Sequence, residues 1–260
     1  MFDDRPRSPF FRGTPPRVIA HRGLALEAPE NTVLAFAAAL AAGADILETD
    51  VHVSADDIAV VSHDPDLSRL AGRAGDVSHF PLSQLATIDL GSGQTFSSLA
   101  EVLSAFPDAR FNVDVKTPGA IGPTVAAVRS AKASDRVLIT SFSDSTRRDV
   151  VRRLPGVATS ASPRIVMLAL LAILARSTRL LGWVTKSVDA MQVPERYGPV
   201  RVVTARTVAC FHAVGMEVHV WTVNEARDMD RLLDIGVDGL VTDRADLARI
   251  VIEARKSRGI

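Results

Sequence analysis

His21-Arg22-Gly23 closes a short apolar run, Val18 to Ala20, and Glu30-Asn31-Thr32 opens a helical stretch a few residues later. A strand that only packs has no use for a histidine and an arginine side by side at its exit. A strand that delivers groups to an anionic substrate does. In Ile-Leu-Glu-Thr-Asp-Val-His-Val, residues 46–53, Glu48 and Asp50 lie two apart, so on a strand both carboxylates share one face. Phe-Asn-Val-Asp-Val-Lys, residues 111–116, repeats the pattern with Asn112, Asp114 and Lys116 on one face and Phe111, Val113 and Val115 on the other. Such a polar face is costly inside a protein unless its groups satisfy one another or a ligand. Three carboxylates converging at strand ends suit a hard divalent cation with oxygen ligands, Mg²⁺ or Ca²⁺. His21 and His63 supply imidazoles able to move protons near neutral pH. Arg22 offers a guanidinium fork suited to phosphate, and Lys116 stands out as one of only four lysines among thirty basic residues.

Positioning these groups requires a repeating scaffold, and the chain has one. Short β-branched runs are expected as strands at 17–21, 44–52, 110–116, 136–142, 156–161, 189–193, 217–223 and 238–242. Helical spacing follows at 32–42, 98–106, 120–132, 144–153, 164–182, 204–214, 225–235 and 245–257. Ser98 through Glu101 reads as a capping box, Asn224 and Thr204 as N-caps, and Gly43, Gly215 and Gly236 as C-terminal stops. Eight strand–helix units predict an α/β fold, a (β/α)8 barrel, rather than an open doubly wound sheet. No Gly-x-Gly-x-x-Gly follows a strand, so a dinucleotide site has no support. One segment breaks the alternation. Ser54 to Asp57 leaves room only for a turn, so Ile58 to Ser62 returns antiparallel beside the second strand and brings His63 close to Glu48. Residues 65–97, rich in Gly, Ser and Asp, then form a small insertion. The expected organisation is an N-terminal extension over 1–16 and a single domain over 17–257.

At 260 residues and 47% hydrophobic, the chain can bury a large core. Thirty basic and thirty acidic residues cancel, which argues against nucleic acid as a partner. The single Cys210 rules out an internal disulfide and a cysteine-based zinc site, and fits a reducing compartment. Residues 1–16 lack an apolar stretch of signal-peptide length, so a cytoplasmic location is expected. The longest apolar run, Ile165 to Ala175, is far short of the roughly 20 residues needed to span a bilayer. Arg164, Arg176, Arg179 and Lys186 flank it. It reads either as an interfacial helix in transient membrane contact or, more simply, as an outer barrel helix, one that a partner subunit could share.

The order and content of these stretches resemble the glycerophosphodiester phosphodiesterases. The resemblance rests on His21-Arg22-Gly23, Pro29-Glu30-Asn31-Thr32, Gly43-Ala44-Asp45 with Glu48-Thr49-Asp50-Val51, and Val60-Val61-Ser62-His63-Asp64. It continues through Asp114-Val115-Lys116, Ser141-Phe142, Val220-Trp221-Thr222-Val223-Asn224 and Asp238-Gly239-Leu240-Val241-Thr242-Asp243-Arg244. It implies a TIM barrel, a divalent metal, and hydrolysis of a glycerophosphodiester to sn-glycerol 3-phosphate and an alcohol. His21 then resembles the proton acceptor, His63 the proton donor, Arg22 and Lys116 the phosphate-binding cations, and Glu48 and Asp50 metal ligands. Asp114 takes the third ligand position, where the family more often shows glutamate. Trp221 resembles an aromatic wall against the glycerol moiety, and Gln192 is a further residue expected to face the site.

Simpler roles compete for several of these residues. His79 and His212 read as structural, while His52 and His219 lie on strands near the site and fit either role. Trp221 suits the core as well as a wall, and Asn31 or Thr32 suits a helix cap. Three functions are therefore weighed: a metal-dependent phosphodiesterase on small glycerophosphodiesters, a related lysophospholipid or phospholipid phosphodiesterase, and a non-catalytic glycerol phosphate binder. The set of His21, His63, Glu48 and Asp50 argues against the last, because a binder needs no acid–base pair.

Overall fold

The computed structural model describes residues 8–259, so the extension expected over 1–16 lies partly outside the described residues. The strands, in chain order, begin with β1 (Arg17–Ala20), β2 (Ile46–Val53), β3 (Ala59–Val61), β4 (Phe111–Val115), β5 (Val137–Thr140) and β6 (Ala158–Thr159). They continue with β7 (Ala190–Pro194), β8 (Arg196–Tyr197), β9 (Val200–Arg201), β10 (Glu217–Trp221) and β11 (Gly239–Thr242). The helices of the first half are α1 (Val33–Ala41), α2 (Ser68–Ala71), α3 (Leu82–Leu85), α4 (Leu99–Ala105), α5 (Ile121–Ser130) and α6 (Asp144–Arg153). Those of the second half are α7 (Pro163–Leu174), α8 (Thr178–Thr185), α9 (Ala205–His212), α10 (Ala226–Asp234) and α11 (Ala245–Ser257).

Eight parallel strands follow one another in the order β6-β5-β4-β2-β1-β11-β10-β7. The ends of this ribbon meet at a parallel bridge between Ser160 and Ala190. There the Asp189 N–H donates to the Thr159 carbonyl at 2.8 Å and the Ala161 N–H to the Ala190 carbonyl at 2.9 Å. The result is a TIM barrel. Strand alternation sorts its residues. Val18, Leu47, Val51, Val113, Ile139, Val218 and Leu240 join the large core shared with the helices. Ile19, Ile46, Leu138, Ala158, Ala190 and Val241 form a second cluster with Phe10 and Phe11, which pack edge-to-face with ring centroids 5.1 Å apart. Beside them the buried Arg17 guanidinium donates to both Glu217 oxygens at 2.9 Å and to the Phe11 carbonyl at 2.7 Å. An arginine taken out of water needs that full set of acceptors.

The hairpin is present: β3 pairs antiparallel with β2, Val51 opposite Val61 and Val53 opposite Ala59. Between Pro65 and Ser97 the chain folds over a small cluster of its own, Leu67, Val77, Leu85, Ile88 and Phe96 with Val60. The Ser98 capping box and the Thr204 cap are both formed.

Two local expectations fail, and one element appears that was not expected. The helix expected over 164–182 is two helices, α7 and α8, because Arg176 adopts φ +54° and Ser177 caps the second by accepting from Leu180 N–H. Asn224 is not an N-cap: Glu225 precedes α10, and the Asn224 side chain turns to Asp243. The short hairpin β8–β9 was not expected; it pairs Arg196 with Arg201.

Candidate active site at the barrel mouth

His21 and Arg22 leave the carboxyl end of β1, Lys116 leaves that of β4, Phe142 follows β5, Trp221 ends β10 and Asp243 follows β11. These are the strand ends where a TIM barrel gathers its functional loops. Turning the chain sharply here requires unusual backbone. Arg22 has φ +59° and Gly23 φ +87°, and a Cβ on Gly23 would come within 2.8 Å of the Ala35 backbone. Only glycine allows α1 to approach so closely. The Arg22 N–H donates to Glu48 Oε2 at 3.0 Å and its carbonyl accepts from Asn31 N–H at 2.8 Å, which holds the left-handed turn.

Adjacent registers then bring the acids together. Glu48 lies beside Asn112 and Asp50 beside Asp114 on neighbouring strands. The Lys116 ammonium bridges them, with Nζ 2.6 Å from Asp50 Oδ1 and 2.7 Å from Asp114 Oδ2. Arg22 Nε lies 3.4 Å from Asp50 Oδ2, an ionic contact without hydrogen-bond geometry, so that nitrogen is buried without an acceptor. Asn31 Nδ2 donates to Asp50 Oδ2 at 3.2 Å and its carbonyl oxygen accepts from Thr49. Capping of α1 falls to Thr32 instead. Burial, reinforced by the charges of Asp50 and Asp114, pushes the Glu48 carboxyl well above its usual range. Asp114 is raised for the same first reason, with Lys116 opposing, and its Oδ1 is buried without a partner. Burial alone would lower Lys116, but Asp50 and Asp114 outweigh it and raise its affinity for the proton. The cluster holds more acid than its cations neutralise.

Both histidines are braced by carboxylates. His21 Nδ1 lies 2.7 Å from Asp243 Oδ1, while Asn224 Nδ2 donates to the other Asp243 oxygen at 2.7 Å. The His21 hydrogen bond is the main reason Asp243 sits below the usual carboxylate range. His63 Nδ1 lies 2.7 Å from Asp64 Oδ1. Burial works against ionisation of Asp64, but His63 and Arg69 outweigh it. A carboxylate acceptor at Nδ1 selects the tautomer protonated there and leaves Nε2 to exchange a proton with a ligand. The Ser62 N–H donates to the Asp50 carbonyl at 3.0 Å, which seats His63 against the acid cluster. Arg69 of α2 pairs with both Asp64 and Glu30, and Glu30 accepts from Arg22 at 3.1 Å.

Trp221 is 36% exposed and meets the more exposed Phe142 edge-to-face at 6.2 Å; Lys116 Nζ stands 6.0 Å from the Phe142 ring centre. An aromatic wall therefore borders the cationic side of the mouth. Gln192 sits deeper, where its Oε1 accepts from Asn112 Nδ2 and its amide nitrogen approaches His219 Nδ1, both at 3.4 Å. His219 itself is buried against Glu217 at 3.0 Å and belongs to the barrel floor. His52 bonds the His63 carbonyl at 3.0 Å, and burial lowers its proton affinity. His79 is exposed and His212 pairs with Asp238 on the outside of the barrel. Asp243, Asn224, Asp64, Glu30, Arg69 and Phe142 were not singled out as site residues, although most stand inside the quoted stretches.

Residues 21–247 match the profile of the glycerophosphoryl diester phosphodiesterase family. A probable glycerophosphodiester phosphodiesterase 2 from Mycobacterium tuberculosis is 40% identical, over 91% of this chain and 90% of its own. Among solved structures, a putative glycerophosphoryl diester phosphodiesterase from Silicibacter pomeroyi superposes with a TM-score of 0.77 at 24% identity, covering 95% of this chain and 97% of its own. An Oleispira antarctica phosphodiesterase in complex with the product sn-glycerol-3-phosphate gives 0.76 at 24% identity, over 92% and 97%. With the profile running almost from the first histidine to the last barrel helix, the chain belongs to the glycerophosphoryl diester phosphodiesterase family.

Proposed function

We propose that the protein hydrolyses glycerophosphodiesters to sn-glycerol 3-phosphate and an alcohol, with His21 and His63 as the acid–base pair. The observation that carries this reading is that each histidine has its Nδ1 on a carboxylate, beside two cations suited to one phosphate. Arg22 and Lys116 bind the phosphoryl oxygens, and Trp221 with Phe142 walls the glycerol side. His21 accepts the proton of the attacking hydroxyl or water through Nε2, and His63 gives one to the departing alcohol; where the hydroxyl attacks, water then opens the cyclic phosphate it forms, with the two histidines exchanging roles. Asp243 and Asp64 hold the two rings through Nδ1 and stabilise the positive charge that His21 gains on accepting a proton and that His63 carries until it gives its own up. Gln192 fixes the base of the pocket through Asn112. Residues 17–257 serve as one domain, with 65–97 an insertion that supplies Arg69.

The acid cluster fits a divalent cation with oxygen ligands, Mg²⁺ or Ca²⁺. Burial and neighbouring carboxylates raise the proton affinity of Glu48 and Asp114, a strain that a bound cation would relieve, and Asp114 Oδ1 lacks any hydrogen-bond partner. Glu48, Asp50 and Asp114 would hold it. Among the described residues no three such groups already form an ion-holding cluster, and Lys116 takes up one oxygen of both aspartates. When bound, the ion would neutralise charge on the phosphoryl oxygens and lower the proton affinity of a neighbouring hydroxyl.

Incubating the protein with glycerophosphocholine and with lysophosphatidylcholine, each with Mg²⁺ or Ca²⁺, tests the proposal. Release of sn-glycerol 3-phosphate from the first is expected. Turnover of the second alone would favour the lysophospholipid reading, and binding without turnover of either would leave a glycerol phosphate binder.

A further inference from the structure

On the outer layer of the barrel, α7 turns an apolar stripe to solvent. Met167, Leu171 and Leu174 are 56%, 54% and 75% exposed, and Leu168 lies beside them. Their spacing of three and four residues puts them on one face, opposite the face that buries Ile165, Ala169, Ala172 and Ile173 in the core. The break at Arg176 folds α8 back beside α7, where Leu180 and Trp183 extend the patch; Trp183 is 64% exposed. Contiguous apolar surface of this kind marks a contact site.

Charge says what it contacts. The whole chain is neutral, yet from Val150 to Val188 it has no acidic residue and six basic ones: Arg152, Arg153, Arg164, Arg176, Arg179 and Lys186. Arg164, Arg176 and Arg179 are exposed and form no ion pair among the described residues. Between α6, α7 and α8 runs a groove of about 230 Å³ lined by Arg148, Arg164, Leu168, Trp183 and Lys186, with Lys186 Nζ 5.5 Å from the Trp183 ring centre. Asp144 at its edge is already held by Arg147 and Ser162. Leucines, a tryptophan and cations gathered on one exposed face, with the groove's Asp144 already paired to Arg147 and Arg148, match the layered chemistry of an anionic bilayer: acyl chains beneath, phosphates above. A second copy of the chain would set these cations against themselves. No described helix is long and apolar enough to cross a membrane, so the contact would be peripheral.

We infer that the α7–α8 face docks the protein on anionic phospholipid surfaces. The inference stands apart from the catalytic proposal, because its readout is binding alone. Flotation with phosphatidylglycerol-containing vesicles should carry the protein up at low salt, and pure phosphatidylcholine vesicles should not. Leu171→Glu with Leu174→Glu, and separately Arg176→Glu with Arg179→Glu, should each weaken partitioning about tenfold or more, with unchanged circular dichroism and melting. Because Trp183 and Trp221 are the two tryptophans, emission in a Trp221→Phe background reports on Trp183 alone, and it should shift to the blue on phosphatidylglycerol vesicles. Absence of flotation, or flotation with no response from Trp183, would overturn the inference. So would a dimer in solution that Leu174→Glu dissolves, since the occupant would then be a second copy.

Discussion

Asp243 holds His21 across the full length of the chain: Oδ1 lies 2.7 Å from Nδ1, between residues 222 apart in sequence. The pair joins the exits of the first and last barrel strands, which are hydrogen-bonded neighbours. Asp243→Asn keeps the shape but removes the charge that selects the tautomer. Its kcat/KM on glycerophosphocholine should fall about 10²-fold or more with little change in melting temperature. Activity equal to wild type would show that His21 needs no orienting partner.

The two histidines should respond differently to the leaving group. His63→Ala should lose about 10²–10⁴-fold in kcat/KM on glycerophosphocholine. Its loss should be much smaller on a substrate that releases nitrophenolate, an anion that departs without a proton. His21→Ala should be impaired on both, because the nucleophile must still be deprotonated. If the nitrophenyl substrate rescues His21→Ala instead, the roles are exchanged.

Chelation tests the acid cluster. EDTA should abolish activity, and Mg²⁺ or Ca²⁺ should restore it. Asp114→Glu, one methylene longer, should retain measurable turnover, whereas Asp114→Ala should not. Full turnover in chelator would remove the ion from the reaction, and an active Asp114→Ala would remove Asp114 from the site.

Stability against acid should depend on the barrel floor. Burial tends to raise the Glu217 pKa, but hydrogen bonds from His219 and Arg17 dominate and hold it at about 2, against an ordinary 4.5. The folded value is the lower one, so its contribution is complete above the unfolded value and disappears as pH falls from about 4.5 towards 2. That shift corresponds to roughly 3 kcal/mol. Glu217→Gln, which strands Arg17 without a counter-charge, should lower the melting temperature at pH 7 and flatten its fall between pH 5 and 3. Parallel melting curves for the two proteins across that range would refute this account.

Period-two patterning made the inward-facing acids readable before any coordinates. Glu48, Asp50, Asp114 and Lys116 occupy alternate strand positions, and the barrel places them side by side. The carboxylates behind the histidines were harder to find. Asp64 was within reach, directly following His63, but Asp243 meets His21 only because the barrel closes β11 onto β1. Asn31 and Asn224 looked like helix caps, and local propensity cannot tell a cap from a side chain recruited by a distant carboxylate. The break between α7 and α8 was masked by uninterrupted apolar periodicity. Its only local sign was Ser177-Thr178 after Arg176.

Phe10 and Phe11 have a consequence for traffic through the molecule. With both rings packed among Ile19, Ile46, Leu138 and Val241, and Arg17 locked to Glu217 beside them, the far end of the barrel is stoppered. A ligand seated at the barrel mouth would therefore find no passage through that end. If the proposed hydrolysis runs at this mouth, substrate and both products would share one route past Trp221 and Phe142, and a phosphate still held at Arg22 and Lys116 would block the next arrival until it goes.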